Sequence, residues 1–345
     1  MFGDRRNIFP HSALRRGAVA CLLFLLATAT LPAAEAPVTL KVREPWSNVF
    51  GGQDVTVHVA VVSAQAQQAT LGWSLAVSGG VVQRAEQAVT LAPDRPAVAE
   101  LHLRVPATKE GVALPAQLAL ALRTEGKTEP AATLNKTLWI FCDDPFAYRK
   151  ERLASLKIRL FDPEKRTAAC LEKAGVPFEL VANVDAMTGL KDGILIVGEG
   201  VSFADYRGLG ATMTKVAAGG PPVLCLAPGG GTMELAITPQ SDVPEPQRVS
   251  LRRRDAIVSV DKRLDAEAWP PDGEIEACSL MISGERGPVV AEARRGGGGW
   301  PWLEMTFAGR GKLIVCGFAI VGKWDNSPTP RFLLAGILEE LAGKQ

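Results

Sequence analysis

The sequence is poor in histidine. Three occur in 345 residues, His11, His58 and His102, and none between 103 and 345. A cysteine or serine nucleophile usually takes its proton acceptor from histidine, so a Cys-His or Ser-His pair confined to the last 243 positions is excluded. Histidine-based metal catalysis falls by the same count. Cysteine is also sparse. Six are present, far apart and never as CxxC, so neither a disulfide framework nor zinc-ligand spacing is evident. No large excess of one charge exists. The formal net charge is +1, and residues 35–345 carry 34 basic and 36 acidic side chains, a net of −2. That balance gives a polyanion nothing to bind, so nucleic acid is not an expected partner. Beyond the N-terminal region no long apolar run is found.

The N-terminus does carry one. Arg5, Arg6, Arg15 and Arg16 precede "GAVACLLFLLATATL", and "PAAEA" follows. A basic head, a short apolar segment and small residues form the pattern of a secretory signal over 1–36. The apolar segment is short of the roughly 20 residues of a membrane span, although a retained anchor is the alternative. The expectation is an exported protein, periplasmic or extracellular, without a span once the signal is cleaved.

Between 37 and 142 the apolar residues recur with period two. Val55, Val57, Val59 and Val61 alternate with Thr56 and His58; Leu101, Leu103 and Val105 alternate with His102 and Arg104; Leu118, Leu120 and Leu122 share a face. Strict alternation marks half-buried strands. Seven are expected, near 38–43, 53–62, 69–77, 80–91, 97–105, 114–123 and 132–141. Seven short strands in such a length read as an immunoglobulin-like β-sandwich. His58 and His102 fall on its polar face. Residues 143–154 read as a linker or short helix.

From 155 to 345 strands alternate with helices. "LKIRLFD" (156–162), "PFELV", "DGILIVG" (192–198) and "PVLCLAP" are apolar strands. Asp162-Pro163-Glu164 supplies an N-cap, a proline at N1 and a first-turn acid for a helix ending at Gly175. A second helix is expected through Phe203, Tyr206, Met213, Val216 and Ala217. The alternation implies a parallel sheet. "VSLRRRDAIVSV", "PVVAEARR" and "WLEMTFAG" read as an antiparallel extension, "GKLIVCGF" (311–318) as another buried strand, and Ser327-Pro328 as the cap of a final helix. The Gly296–Gly299 run reads as a hairpin or disordered tip.

In "PPVLCLAPGGG" (221–231), Cys225 lies in the strand body rather than on a glycine-flanked turn, where nucleophiles sit. With "LFDPEKRTAACLEKAGVPFELV", "GILIVGEG", "VLCLAPGGG" and "GKLIVCGFAIVGKWDNSPTPRFLLAGIL", residues 155–343 resemble the class I glutamine amidotransferase-like fold. This is a flavodoxin-like, three-layer α/β fold, here in the degenerate form appended to secreted bacterial β-galactosidase-type glycoside hydrolases. The active family has a G-x-C-x-G elbow and a late histidine with a glutamate. Neither glycine flanks Cys225, and "FAIVG" (318–322) stands where the late pair would be. The resemblance therefore implies the fold without the catalysis.

A crevice at the carboxyl edge of the sheet is the remaining candidate site. It would gather Asp162, Glu199, the amides of Gly229, Gly230 and Gly231, and Trp324 with Asp325. Carboxylates beside an exposed indole suit a sugar. No cofactor or metal is expected. Three readings stand: a non-catalytic binding or accessory protein, with carbohydrate as the ligand class the resemblance implies; a structural or protein-interaction module of the envelope; and a glycoside hydrolase-related enzyme using Asp162 and Glu199 as its two carboxylates.

Overall fold

The computed structural model describes residues 38–93, 95–236, 245–266, 278–284, 287–293, 299–308 and 311–343. The expected signal at 1–36 and Gly296–Gly298 lie outside them. The chain is rich in β-structure, with several sheets and a smaller helical content.

Residues 38–141 form eight strands and no helix among the described residues. They are β1 (Thr39–Val42), β2 (Asn48–Phe50), β3 (Asp54–Val62), β4 (Gln67–Val77), β5 (Gly80–Leu91), β6 (Ala97–Arg104), β7 (Ala113–Thr124) and β8 (Ala132–Phe141). A three-stranded antiparallel sheet has the order β1-β3-β6, and a five-stranded sheet the order β2-β8-β7-β4-β5. The alternating residues Val57, Val59, Val61, Leu101, Leu103, Leu118, Leu120 and Leu122 are buried in one core shared by both sheets. β2 was not expected. It is three residues long and pairs parallel with β8, so it has no length over which alternation could register. The β4–β5 hairpin turns at Ser78 and Gly79, with φ of 51° and 87°. Two consecutive left-handed residues match the twist of the flanking strands.

The segment after β8 is packed rather than loose. Phe146 and Leu153 are buried, the latter on helix α1 (Lys150–Ser155). A seven-stranded sheet follows. It comprises β9 (Ile158–Phe161), β10 (Glu179–Leu180), β11 (Ile194–Val197), β12 (Val223–Leu226), β14 (Arg248–Arg252), β17 (Trp302–Thr306) and β18 (Lys312–Cys316), in the order β10-β9-β11-β12-β18-β17-β14. The first five are mutually parallel, and β17 and β14 extend the sheet antiparallel. All four residues of β11, Ile-Leu-Ile-Val, are buried, as a strand covered on both faces requires. Each such side chain contributes about 1.5–3 kcal/mol of transfer free energy. On one face Ile158, Leu160, Ile196, Leu224 and Ile314 meet α2 (Arg166–Lys173), α5 (Asp255–Val260) and α6 (Pro328–Leu341). On the other, Leu195, Val197, Cys225 and Val315 meet α3 (Val184–Met187) and α4 (Leu209–Gly219).

Three expectations are corrected here. "VSLRRRDAIVSV" is not one strand: β14 ends at Arg252 and α5 begins at Asp255. Asp255 organises the change, accepting from the Arg253 amide (2.9 Å) and Arg252 Nε (3.0 Å), while Ala256 and Ile257 are buried. Residues 288–293 of "PVVAEARR" lie in β16 (Gly287–Ala293), which joins not the extension but a separate three-stranded sheet, with β13 (Thr232–Ala236) and β15 (Cys278–Gly284) in the order β13-β15-β16. Finally, α2 opens at Arg166 rather than at Pro163; a turn at 162–165, with Lys165 left-handed at φ 58°, precedes it. The final helix starts where expected, but the Ser327 hydroxyl makes no capping hydrogen bond.

Candidate functional site

Parallel pairing of β9 with β11, Phe161 opposite Val197, brings Asp162 beside Gly198 and Glu199 at the carboxyl end of the sheet. Sheet order reverses between these two strands, since β10 lies outside β9 and β12 beyond β11. This is where α/β sheets place ligands. Here the space is filled. Asp162 is 5% exposed and its Oδ2 accepts from the Ala168 amide at 2.7 Å, so the side chain serves the first turn of α2 from a distance. Its Oδ1, with no hydrogen-bond partner, stands 2.7 Å from the point that a Cβ on residue 198 would occupy. Glycine at 198 is therefore the condition for this packing. Burial raises the Asp162 pKa, against the amides of Ala168 and Thr167 that lower it.

Glu199 is 4% exposed. It does not cap the helix that follows it. Its two carboxylate oxygens accept from the amides of Val321 and Gly322, each at 2.7 Å, and its own amide donates to Thr167 Oγ1 at 2.8 Å. The carboxylate thus clamps the "FAIVG" loop. The glycines of 229–231 hold two loops together. The Gly200 amide donates to Ala227 O (2.8 Å), Gly229 to Val201 O (3.2 Å) and Phe203 to Gly230 O (2.9 Å). A Cβ at 229 would lie 2.1 Å from Gly200 O, and one at 231, where φ is 75°, 2.4 Å from the Ala204 amide. These glycines permit close approach of main chains rather than an anion cradle.

Trp324 is 5% exposed, and its carbonyl accepts from Arg331 Nε at 2.8 Å. The exposed indole required for sugar stacking is absent at this position. Asp325 is solvent-facing but paired with Lys173 Nζ (3.0 Å) and Arg331 Nη2 (2.9 Å). The Lys173 hydrogen bond is the main cause of its lowered pKa. The structure therefore brings Asp162, Glu199, the glycine loop and the 318–325 segment to one edge, and packs them against one another.

Cys225 is wholly buried on β12, in the cluster with Leu195, Val197 and Met213. The two described histidines are engaged elsewhere. His58 Nδ1 lies 2.6 Å from Glu44 Oε1, and His102 Nδ1 lies 3.3 Å from Thr56 Oγ1. Cys142, Cys170 and Cys316 are also buried. Burial pushes Cys170 up to about 12. Among the described residues no cluster of three His, Cys, Asp or Glu side chains could hold a metal ion, and no helix is long and apolar enough to cross a membrane.

What local sequence could not reveal is a joint between the β-rich half and the α/β half. Asp265 is 5% exposed and accepts from the amides of Ser47 (2.7 Å) and Asn48 (3.0 Å) and from the Ser47 hydroxyl. Asn48 Nδ2 donates to Arg263 O at 2.9 Å. Arg331 donates to Asp143 O at 2.8 Å and lies 4.4 Å from the centre of the Phe50 ring. An open groove of about 920 Å³ lies elsewhere, where β14 and β17 meet α6. Its Glu304 and Glu340 are paired with Lys312, and its Glu339 with Arg149.

No protein-family model matches the chain, and no curated protein matches it. Solved structures are similar over parts only. The sporulation control protein Spo0M of Bacillus subtilis aligns at 15% identity and TM-score 0.24, covering 35% of this chain and 55% of its own. A cycloisomaltooligosaccharide glucanotransferase of a Paenibacillus species aligns at 13% and 0.27, covering 56% and 28%. A β-galactosidase of Bacteroides fragilis aligns at 9% and 0.26, covering 60% and 43%. The chain thus spans little more than half the length of Spo0M and less than half of the other two. None overlaps enough to define a shared overall fold.

Proposed function

We propose that this chain is an exported, non-catalytic accessory protein of the cell envelope that acts through its surfaces, a structural or protein-interaction module. In this reading an immunoglobulin-like sandwich is joined to a degenerate, flavodoxin-like domain of the class I glutamine amidotransferase type. The strand order β10-β9-β11-β12-β18 supports the second assignment, because it has the 2-1-3-4-5 connectivity of flavodoxin-like sheets. The leader-like N-terminus supports export. One observation carries the non-catalytic reading. Where a nucleophile elbow would stand, Cys225 is enclosed in the strand body, and the loops around the carboxyl edge are hydrogen-bonded to one another. The same closure weighs against a carbohydrate crevice and against Asp162 and Glu199 as a glycosidase pair, since both carboxylates are buried and each is bonded to main-chain amides.

The test has two arms. Expressed with its own N-terminus in a bacterial host, the protein is expected outside the cytoplasm, with an intact mass short of residues 1 to about 36 by signal cleavage. Retention in the cytoplasm at full mass would refute export. The purified protein is expected to hydrolyse neither glutamine nor aryl glycosides. Turnover abolished in Cys225→Ser or in Glu199→Gln, with folding retained, would refute the non-catalytic reading.

A further inference from the structure

Strand β5 is the free edge of the five-stranded sheet. It pairs with β4 alone, and among the described residues no main-chain hydrogen bond reaches it from the other side. Exposed strand edges are templates for pairing, and proteins commonly blunt them with short length, lysine, proline or side-chain cover. The other edges with described side chains follow that rule. β10 has two residues and β14 five. The edge of β6 is partly covered by Gln83, which donates to His102 O (3.0 Å) and accepts from the Arg104 amide (2.9 Å). β5 has such protection near its start, where Gln83 is tied to the β6 main chain and the pairing with β4 bulges at Val82. It runs for twelve residues without lysine or proline, and Val81 and Val82 are about half exposed. A groove of about 520 Å³ follows it, between Ala85, Glu86 and Gln87 on one side and Glu100 and His102 on the other.

The charges on β5 select the partner. Arg84 and Glu86 flank Ala85 on the solvent face, and both are exposed. Arg84 has no ion-pair partner among the described residues, while Glu86 has only a long, exposed contact with Arg123 at 3.4 Å. In an antiparallel pairing of β5 with a second β5, residues directly opposite share a face. If the two-fold axis passes at Ala85, Arg84 lies opposite Glu86 of the second copy and Glu86 opposite its Arg84. The same register sets Gln83 against Gln87, and the bulge at Val82 ends the regular pairing beyond that point. Moving the axis one residue sets Arg84 against Arg84, or Glu86 against Glu86. Opposite charges across a strand pair are favourable and like charges unfavourable, so the register centred on Ala85 is favoured over these two neighbours.

The geometry points to a second copy of this chain as the occupant of the β5 edge. The two five-stranded sheets join antiparallel into one ten-stranded sheet about a two-fold at Ala85. Such an interface is isologous, as closed dimers require. It holds whether or not the protein is exported, so its failure and that of the preceding proposal are read by separate measurements.

Sedimentation equilibrium on the purified chain tests it, with far-UV circular dichroism as the fold control. The wild type is expected to show a concentration-dependent mass of two chains. Arg84→Glu and Glu86→Arg each create two like-charge pairs, and each should raise the dimer dissociation constant about tenfold or more. The double variant restores both pairs with exchanged signs and should recover the dimer. A wild type that stays monomeric up to its solubility limit overturns the inference. So do single variants that dimerise as well as wild type, or a folded double variant that remains as weak as the singles.

Discussion

Replacing Asp265 with alanine tests how the two halves of the chain are held. The carboxylate accepts three hydrogen bonds from β2 and the residue before it, the amides of Ser47 and Asn48 and the Ser47 hydroxyl. Removing an acceptor from a buried donor costs about 1–3 kcal/mol. Asn48 is 3% exposed, so its amide bears that cost in full, whereas half-buried Ser47 can recruit water. Release of a desolvated charge offsets part of the loss. The net expectation is about 3 kcal/mol, a substantial fraction of a typical total of about 5–15 kcal/mol. Urea unfolding followed by tryptophan fluorescence reads it, and loss of the joint should also broaden or split the transition. Asp265→Asn adds a pH signature. Burial raises the Asp265 pKa above 3.8, outweighing the Ser47 and Asn48 donors and Lys136. Between 3.8 and that raised value the folded state binds more protons than the unfolded state. Wild-type stability therefore falls as pH rises through this window, and the asparagine variant lacks that fall. The margin of wild type over Asp265→Asn should shrink with rising pH. A destabilisation of Asp265→Ala below about 0.5 kcal/mol, within the range of ordinary surface changes, would refute the reasoning. A margin that widens with rising pH would do the same.

Further outcomes follow from the packed edge. Gly198→Ala should destabilise by about 1–3 kcal/mol, because its methyl meets Asp162 Oδ1, and the loss should be smaller when measured in an Asp162→Ala background. Glu199→Gln replaces a charged acceptor of the Val321 and Gly322 amides with a neutral amide and should cost about 1–2 kcal/mol in chemical denaturation. Asp325 behaves oppositely to Asp265: its pKa is lowered, so its pairing with Lys173 and Arg331 contributes above pH 3.8 and is lost as pH falls through the folded value. The pair is exposed, so that contribution should be small and should diminish in high salt, as comparison of Lys173→Met with wild type across a salt series would show.

Legibility in the sequence followed the range of each interaction. β5 and β8 are bounded by strong local punctuation, Gly79-Gly80 at one and Pro145 soon after the other, and their limits are readable to the residue. β2 is too short for a period to show. In α5, the β-branched "AIVSV" favours a strand by propensity, but packing of Ala256 and Ile257 against α6 decides for a helix. The candidate site was legible as a set of positions at one sheet edge, since that follows from strand order. Its closure was not. Glu199 meets its amide partners 122 and 123 residues further along, and Asp265 meets Ser47 at a separation of 218. No spacing rule spans such distances.

Alkylation of the native protein with iodoacetamide, followed by peptide mapping, addresses the closed scaffold most directly. Cys225 has a fully enclosed sulfur and should remain unmodified until the α/β half unfolds, gaining label in step with loss of structure. Modification of Cys225 in the folded protein at a rate near that of the denatured chain would mean an open, reactive thiol, and the account of this half as a filled framework would be wrong.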